Sequence, residues 1–217
     1  MGLQDKLTAF KKDFVSKVPE AVVETVGRAT AQLNASGQAE RAVPLASTLP
    51  PFRLQNQDRQ EVQLSNLLAK GPLVVSFFRG GWCPYCNLEL EALSEVTPQI
   101  REIGADIVVI TPQVPERSAE MRRVKKLEFD LLTDVGLKYA DQLGLAFTMP
   151  DDLVEVYKGF KLDIPGYNGD DSWRLPLPTR LVLKSSGEII SRNVETDYTR
   201  RPEPEETLEV LRGLARL

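Results

Sequence analysis

Residues 73–86 read Leu73-Val74-Val75-Ser76-Phe77-Phe78-Arg79-Gly80-Gly81-Trp82-Cys83-Pro84-Tyr85-Cys86. The first six form a nearly continuous apolar, β-branched run, as for a strand buried on both faces. Two glycines then break the run. From Pro84 onward Leu90, Leu93, Thr97, Ile100 and Ile103 recur at helical spacing, and Gly104 suits a C-terminal stop. Pro84 fits the first helical position, and Pro98 is expected to kink the helix. The segment therefore predicts strand, turn and helix, with Cys83 at the N-cap and Cys86 near the end of the first turn. In open α/β sheets that is the edge where substrates bind.

Outward from this unit, strands and helices alternate. Ile107–Ile110 is a second central strand, which the right-handed crossover rule places beside the first and parallel to it. A charged helix is expected over 115–128, a short strand at Phe129–Leu132 and a helix over Val135–Leu143. Pro150 starts a helix through Phe160, and IPGYNGDDSW reads as a loop. Arg180–Lys184, the turn Ser185-Ser186-Gly187 and Glu188–Val194 form a hairpin, and a helix bearing Leu208, Leu211, Leu214 and Leu217 follows. Upstream, Glu61–Leu64 alternates like a strand, and Pro44–Pro51 is a breaker-rich linker. Apolar residues at spacings of three and four predict helices over 3–34, with Pro19 opening the second. Such a stripe packs on its own domain or on a second subunit, so a homodimer is one of two outcomes. The fold class is α/β, a mixed sheet with helices on both faces. The expected division is a helical extension at 1–43 and one domain at 44–217.

Composition narrows the chemistry. The 217 residues are 42% apolar and 27% charged, enough to bury a core without disulfides. The formal charge of −4 argues against nucleic acid and acidic membrane surfaces as partners. The first residues, MGLQDKLTAFKKDF, lack an apolar signal core, and the expectation is a cytoplasmic protein. Histidine is absent, which removes His-activated nucleophiles and His-ligated metals. Only two cysteines are present, too few for a four-thiolate site in one chain, so no cofactor and no metal are expected.

Those two cysteines lie three apart. On a helix this brings their Cβ atoms to about 5–6 Å, close enough for a disulfide to form after a small adjustment. The helix N-terminus favours thiolate over thiol, and Arg79 adds positive charge. A thiol lowered to a pKa of roughly 6 is about 90% ionised at pH 7. The plainer alternative is a pair of small buried hydrophobes.

Trp82-Cys83-Pro84-Tyr85-Cys86 resembles the active-site segment of the thioredoxin superfamily. FFRGGWCPYCNLEL, ITPQVPERS, NGDDSW and DYTRRPEPEE are more similar to its peroxiredoxin-like branch, the alkyl hydroperoxide reductase C / thiol-specific antioxidant (redoxin) family. The resemblance covers roughly residues 44–212. It implies a thioredoxin-like fold and places Leu177-Pro178-Thr179 at the superfamily's cis-proline–threonine segment, beside the redox pair. Against the peroxiredoxin pattern P-x-x-x-T-x-x-C, Cys86 matches the cysteine, while Arg79 and Cys83 replace the proline and threonine.

Three functions remain open. In a thiol peroxidase reducing hydrogen peroxide or organic hydroperoxides, Cys86 attacks and Cys83 resolves. The resemblance then implies thioredoxin or glutathione as reductant. In a thioredoxin- or glutaredoxin-like disulfide reductase, Cys83 attacks, Cys86 resolves, and Pro178 and Thr179 contact the substrate. In a redox-switched binding module the disulfide changes the shape of 145–177 without turnover. Trp173 reads either as a lid over the thiols or as the anchor of a surface turn. Asp151-Asp152 reads as helix capping, the 122–126 basic run as a solvated face, and 198–201 as surface.

Overall fold

A computed structural model describes residues 2–214. Leu217, expected on the last apolar stripe, lies outside the described residues. The helices are α1 Leu3–Lys17, α2 Glu20–Ala35, α3 Gln38–Arg41, α4 Leu64–Leu68, α5 Pro84–Glu102, α6 Pro115–Lys125, α7 Lys138–Gln142, α8 Asp151–Gly159, α9 Ile164–Asn168 and α10 Pro204–Leu214. The strands are β1 Arg53–Gln55, β2 Glu61–Gln63, β3 Leu73–Phe77, β4 Asp106–Thr111, β5 Asp130–Thr133, β6 Ala146–Thr148, β7 Arg174–Pro176, β8 Thr179–Leu183 and β9 Ile189–Val194.

The main sheet runs in the order β2-β1-β5-β4-β3-β8-β9. β3, β4 and β5 are parallel neighbours, and β8 pairs antiparallel with β3 and β9. β3 is buried along its whole length, as its unbroken apolar run demands. Its side chains alternate between two cores. Leu73, Val75 and Phe77 join Val108, Ile110 and Leu181 on one face. Val74, and Phe78 just past the strand end, join Val109, Val182 and both cysteines on the other, beneath α1, α5 and α10. Fully burying each such side chain stabilises by about 1.5–3 kcal/mol, so the position of β3 is strongly fixed.

The N-terminal helices pack on their own chain. Leu3 and Leu7 are buried in the α5 core, and Ala29 of α2 packs with α8. The first turn of α1 is tied down by Glu203, whose carboxylate accepts from the N–H groups of Leu3 and Gln4 at 2.8 Å.

Several expectations are corrected. The IPGYNGDDSW loop begins with α9, whose Asp163 side chain accepts from Gly166 N at 3.0 Å. β6 and β7 form a second small antiparallel sheet. Trp173 anchors a surface turn. It packs in the α8 cluster under Lys158, and is not a lid on the thiols. No cis peptide occurs among the described residues, so the bond before Pro178 is trans. There the chain runs extended from β7 into β8 while Leu177 N donates to Leu145 O at 2.8 Å.

Candidate active site

Cys83 occupies the N-cap of α5 in an extended conformation, and Pro84 takes the first helical position. The preceding turn is pinned on both sides. Gly81 N donates to Gln113 Oε1 at 2.8 Å, and Asn87 Nδ2 donates to Gly81 O at 2.9 Å. Gly80 has φ +147°, and a Cβ there would collide with the Trp82 indole, so glycine is required for the turn.

Both thiols are free and almost wholly buried, Cys83 at 1% exposure and Cys86 at 0%. Burial pushes both thiols up. At Cys83, hydrogen bonding from Cys86 and the charges of Arg79 and Arg201 outweigh that effect and bring the thiol down to about 6. At Cys86 burial is reinforced by the hydrogen bond to Cys83 and by the Cys83 charge, and the thiol is held well above its usual range. One thiol is thus poised as a thiolate and its neighbour as a proton donor.

Arg79 is 2% exposed and has no carboxylate partner among the described residues. Its Nη2 donates to Tyr157 Oη at 2.7 Å. The guanidinium also lies over the rings of Tyr198 (4.2 Å to the centroid), Trp82 (5.0 Å) and Tyr157 (5.8 Å). This aromatic cage holds a cation without neutralising it.

The second cation was not foreseen. Arg201, read from sequence as surface, is buried, and its Nη2 donates to Cys86 Sγ at 3.5 Å. Its Nε donates to the Glu89 carboxylate. Arg180 Nη2 donates to the other Glu89 oxygen at 2.7 Å. Arg180 therefore belongs to the Glu89 pair and does not contact the thiols directly. The signal available in sequence was Glu89 on the apolar, buried side of α5, since a buried carboxylate needs a cation. Nothing in sequence said which cation. Thr179 turns its hydroxyl to Leu177 O at 3.0 Å, while Pro178 lines a cavity together with Arg79.

Cys83 opens onto a cavity of about 90 Å³. Phe10 and Phe14 of α1, Val26 of α2 and Tyr157 of α8 wall it, together with Arg79 and Trp82. Phe10 packs edge-on against Tyr85, and Phe14 against Phe160. The N-terminal helices thus roof the thiols. Sequence placed these helices on the domain or on a second subunit, without this role.

The AhpC/TSA family model matches residues 45–192. The chain belongs to the AhpC/TSA family. Relatives in this range include the chloroplastic peroxiredoxin Q of Sedum lineare, 31% identical over 58% of this chain and 66% of that protein. Another is the thiol-disulfide oxidoreductase ResA of Geobacillus kaustophilus, 27% identical over 68% of each chain. The match thus spans about two thirds of the length of these relatives. The crystal structure of peroxidoxin BcpB from Mycobacterium tuberculosis superposes with a TM-score of 0.63 at 19% identity, over 79% of this chain and 98% of that one. A structure of Xylella fastidiosa PrxQ gives 0.61 at 14% identity, over 80% and 98%. The AhpC/TSA match begins at residue 45, immediately after the N-terminal helices. The fold is thioredoxin-like, as the motif resemblance implied. Among the described residues no helix is long and apolar enough to cross a membrane.

Proposed function

We propose that the protein is a thiol peroxidase in which Cys83 attacks and Cys86 resolves. The observation that carries this is the placement of Cys83, buried beside two buried arginines and lining a cavity of about 90 Å³. Such a space suits a small peroxide. A folded protein disulfide would have to displace α1 first, which disfavours the disulfide-reductase reading despite the ResA relative.

The Cys83 thiolate attacks one peroxide oxygen. The O–O bond breaks, the sulfur is oxidised to a sulfenic acid, and the leaving hydroxide or alkoxide takes a proton. Arg79 and Arg201 stabilise the thiolate and the negative charge passing to the leaving oxygen. The Cys86 thiol then condenses with the sulfenic acid, forming the S–S bond and releasing water. Two external thiol groups, from one thioredoxin-type dithiol or two glutathione-type thiols, return the pair to dithiol by exchange and leave joined as a disulfide. Assigning attack to Cys83 reverses the order suggested by the peroxiredoxin pattern. The support is electrostatic, because Cys83 is the thiol that favours ionisation. In this reading Trp82 and Pro84 shape the turn, and Pro178 and Thr179 support the strand beside it. We take 1–43 as an extension, whose helices α1 and α2 wall the thiol cavity, and 44–217 as the domain.

Mass spectrometry of the two single variants after one equivalent of hydrogen peroxide tests this. Cys83→Ser should stop peroxide consumption, while Cys86→Ser should accumulate a trappable sulfenic acid on Cys83. The inverse pattern moves attack to Cys86. If peroxide loss is accelerated by none of the proteins, yet wild type reduces a protein disulfide, the peroxidase reading fails.

A further inference from the structure

Oxidation of Cys83 by a peroxide expels hydroxide or alkoxide, and that oxygen must gain a proton. Sulfur attacks in line with the O–O bond, so the departing oxygen lies on the side away from Cys83, toward the rest of the cavity wall. Cys86 is fully buried and takes no part in that wall. Arg79 and Trp82 do, but a guanidinium and an indole N–H do not give up their protons near neutral pH. The remaining protic groups on the wall are the hydroxyls of Tyr85, Tyr157 and Tyr198.

Tyr157 is set apart by its bonding. Its Oη accepts from Arg79 Nη2 at 2.7 Å, and its ring meets Trp82 edge-on with centroids 5.7 Å apart. The side chain is buried, and among the described residues its hydroxyl donates to no group. The oxygen is thus held by a cation while the proton is unclaimed. A hydroxyl that accepts from a cation is a stronger donor in turn. The tyrosinate left after donation is paired with that same cation. Tyr85 and Tyr198 have no such bond from Arg79. Burial pushes Tyr85 up to about 12 and Tyr198 well above the usual phenol range, so both hold their protons more firmly.

We infer that Tyr157 is the general acid that protonates the leaving oxygen. The inference rests on the peroxidase reading and names the proton donor within it. As the S–O bond forms and the O–O bond breaks, the Tyr157 O–H bond breaks and its proton passes to the departing oxygen, giving water or an alcohol. The tyrosinate recovers a proton from solvent before the next turnover. A phenol is a far stronger acid than water or an alcohol, so the transfer runs downhill.

Stopped-flow oxidation of Cys83 in the full chain, by hydrogen peroxide and by peroxyacetic acid, tests it. The first oxidant expels hydroxide, which needs the proton. The second expels acetate, which does not. Tyr157→Phe keeps the ring and should slow the hydrogen peroxide reaction by about tenfold or more, while changing the peroxyacetic acid reaction by less than about threefold. Difluorotyrosine in place of Tyr157 keeps the hydroxyl but lowers the phenol pKa. The alkaline limit of the hydrogen peroxide reaction should then move down by at least about one pH unit, a shift that a packing role does not produce. This second protein decides the matter alone if Tyr157→Phe does not fold by circular dichroism. Equal slowing of both oxidants in Tyr157→Phe would overturn the inference, because the tyrosine would then act only through Arg79 and the thiolate. So would unchanged rates, an unmoved alkaline limit, or a separation of the two oxidants in Tyr85→Phe or Tyr198→Phe instead. Each of these results leaves the peroxidase reading standing. If wild-type Cys83 reacts with hydrogen peroxide no faster than a free thiol, that reading itself fails and the general acid falls with it.

Discussion

Arg201 Nη2 stands 3.5 Å from Cys86 Sγ although 115 positions separate the two residues. The contact brings the C-terminal region to the first turn of α5, and it holds a positive charge where the thiol pair must carry a negative one. Because the pair shares its charge, Arg201 lowers the Cys83 thiol from behind.

Replacing Arg201 by Met should therefore raise the Cys83 pKa and slow its alkylation at pH 7 several-fold. Arg201→Lys should restore part of the rate, because it returns the charge without the fork. The pH profile of iodoacetamide reaction separates this from a loss of folding. An unmoved midpoint in a folded Arg201→Met protein would show that the arginine serves only Glu89.

Glu89 is the common partner of Arg180 and Arg201, and all three side chains are at most 2% exposed. Removing its charge leaves two guanidinium groups buried with poor compensation. Breaking a buried pair in this way costs about 3–5 kcal/mol. Glu89→Gln should lose stability on that scale in urea unfolding. A loss of under about 1 kcal/mol would mean that water reaches the site.

The thiol pair gives stability a dependence on pH that follows from the two opposite shifts. Cys83 is held down to about 6, below the roughly 8.5 of an unperturbed thiol. Its contribution is fully present above the unfolded value and is lost as pH falls through about 6. Cys86 is held up, so its contribution is present below the unfolded value and is lost as pH rises. Stability of the reduced protein should rise from pH 6 towards about 8.5 and fall beyond it. Cys83→Ser should remove the rise and Cys86→Ser the fall, read from denaturant midpoints across pH. A rise that survives in Cys83→Ser would assign it to another group.

The sequence showed most clearly what short-range pattern controls. β3, the glycine turn and α5 could be placed because one continuous apolar run meets a helical stripe at two glycines. The β8–β9 hairpin was legible from Ser185-Ser186-Gly187 between two apolar runs. β1, β6 and β7 were not, because a three-residue strand carries too little alternation to register. α9 was hidden by Pro165, Gly166, Asn168 and Gly169, residues that favour turns, although Asp163 caps a short helix there. At the site, the two cysteines and Arg79 lie in one contiguous stretch and could be read together. Arg201, Glu89, Tyr157 and Tyr198 meet them only through the fold, and a buried arginine looks like a surface arginine in one dimension. The trans bond before Pro178 shows a further limit, since a motif identifies a segment without fixing its peptide geometry.

α1 walls the cavity that Cys83 lines, and this yields the last prediction. Phe14 walls the thiol cavity from its half-buried position and meets Phe160 edge-on, with ring centroids 5.9 Å apart. The N-terminal end of α1 is anchored independently through Leu3, Leu7 and Glu203. Phe14→Ala should therefore open the roof without detaching the helix. The Cys83 reaction with a bulky aromatic disulfide should accelerate by about tenfold or more, a barrier change of roughly 1.4 kcal/mol. Reaction with hydrogen peroxide, already small enough for the cavity, should change by less than about threefold, under roughly 0.7 kcal/mol. The ratio of the two rates is the informative quantity, because general loosening would raise both. If both rates rise in parallel, or neither moves, Phe14 does not gate the thiol and entry lies elsewhere, along the exposed Pro84 side of the helix start.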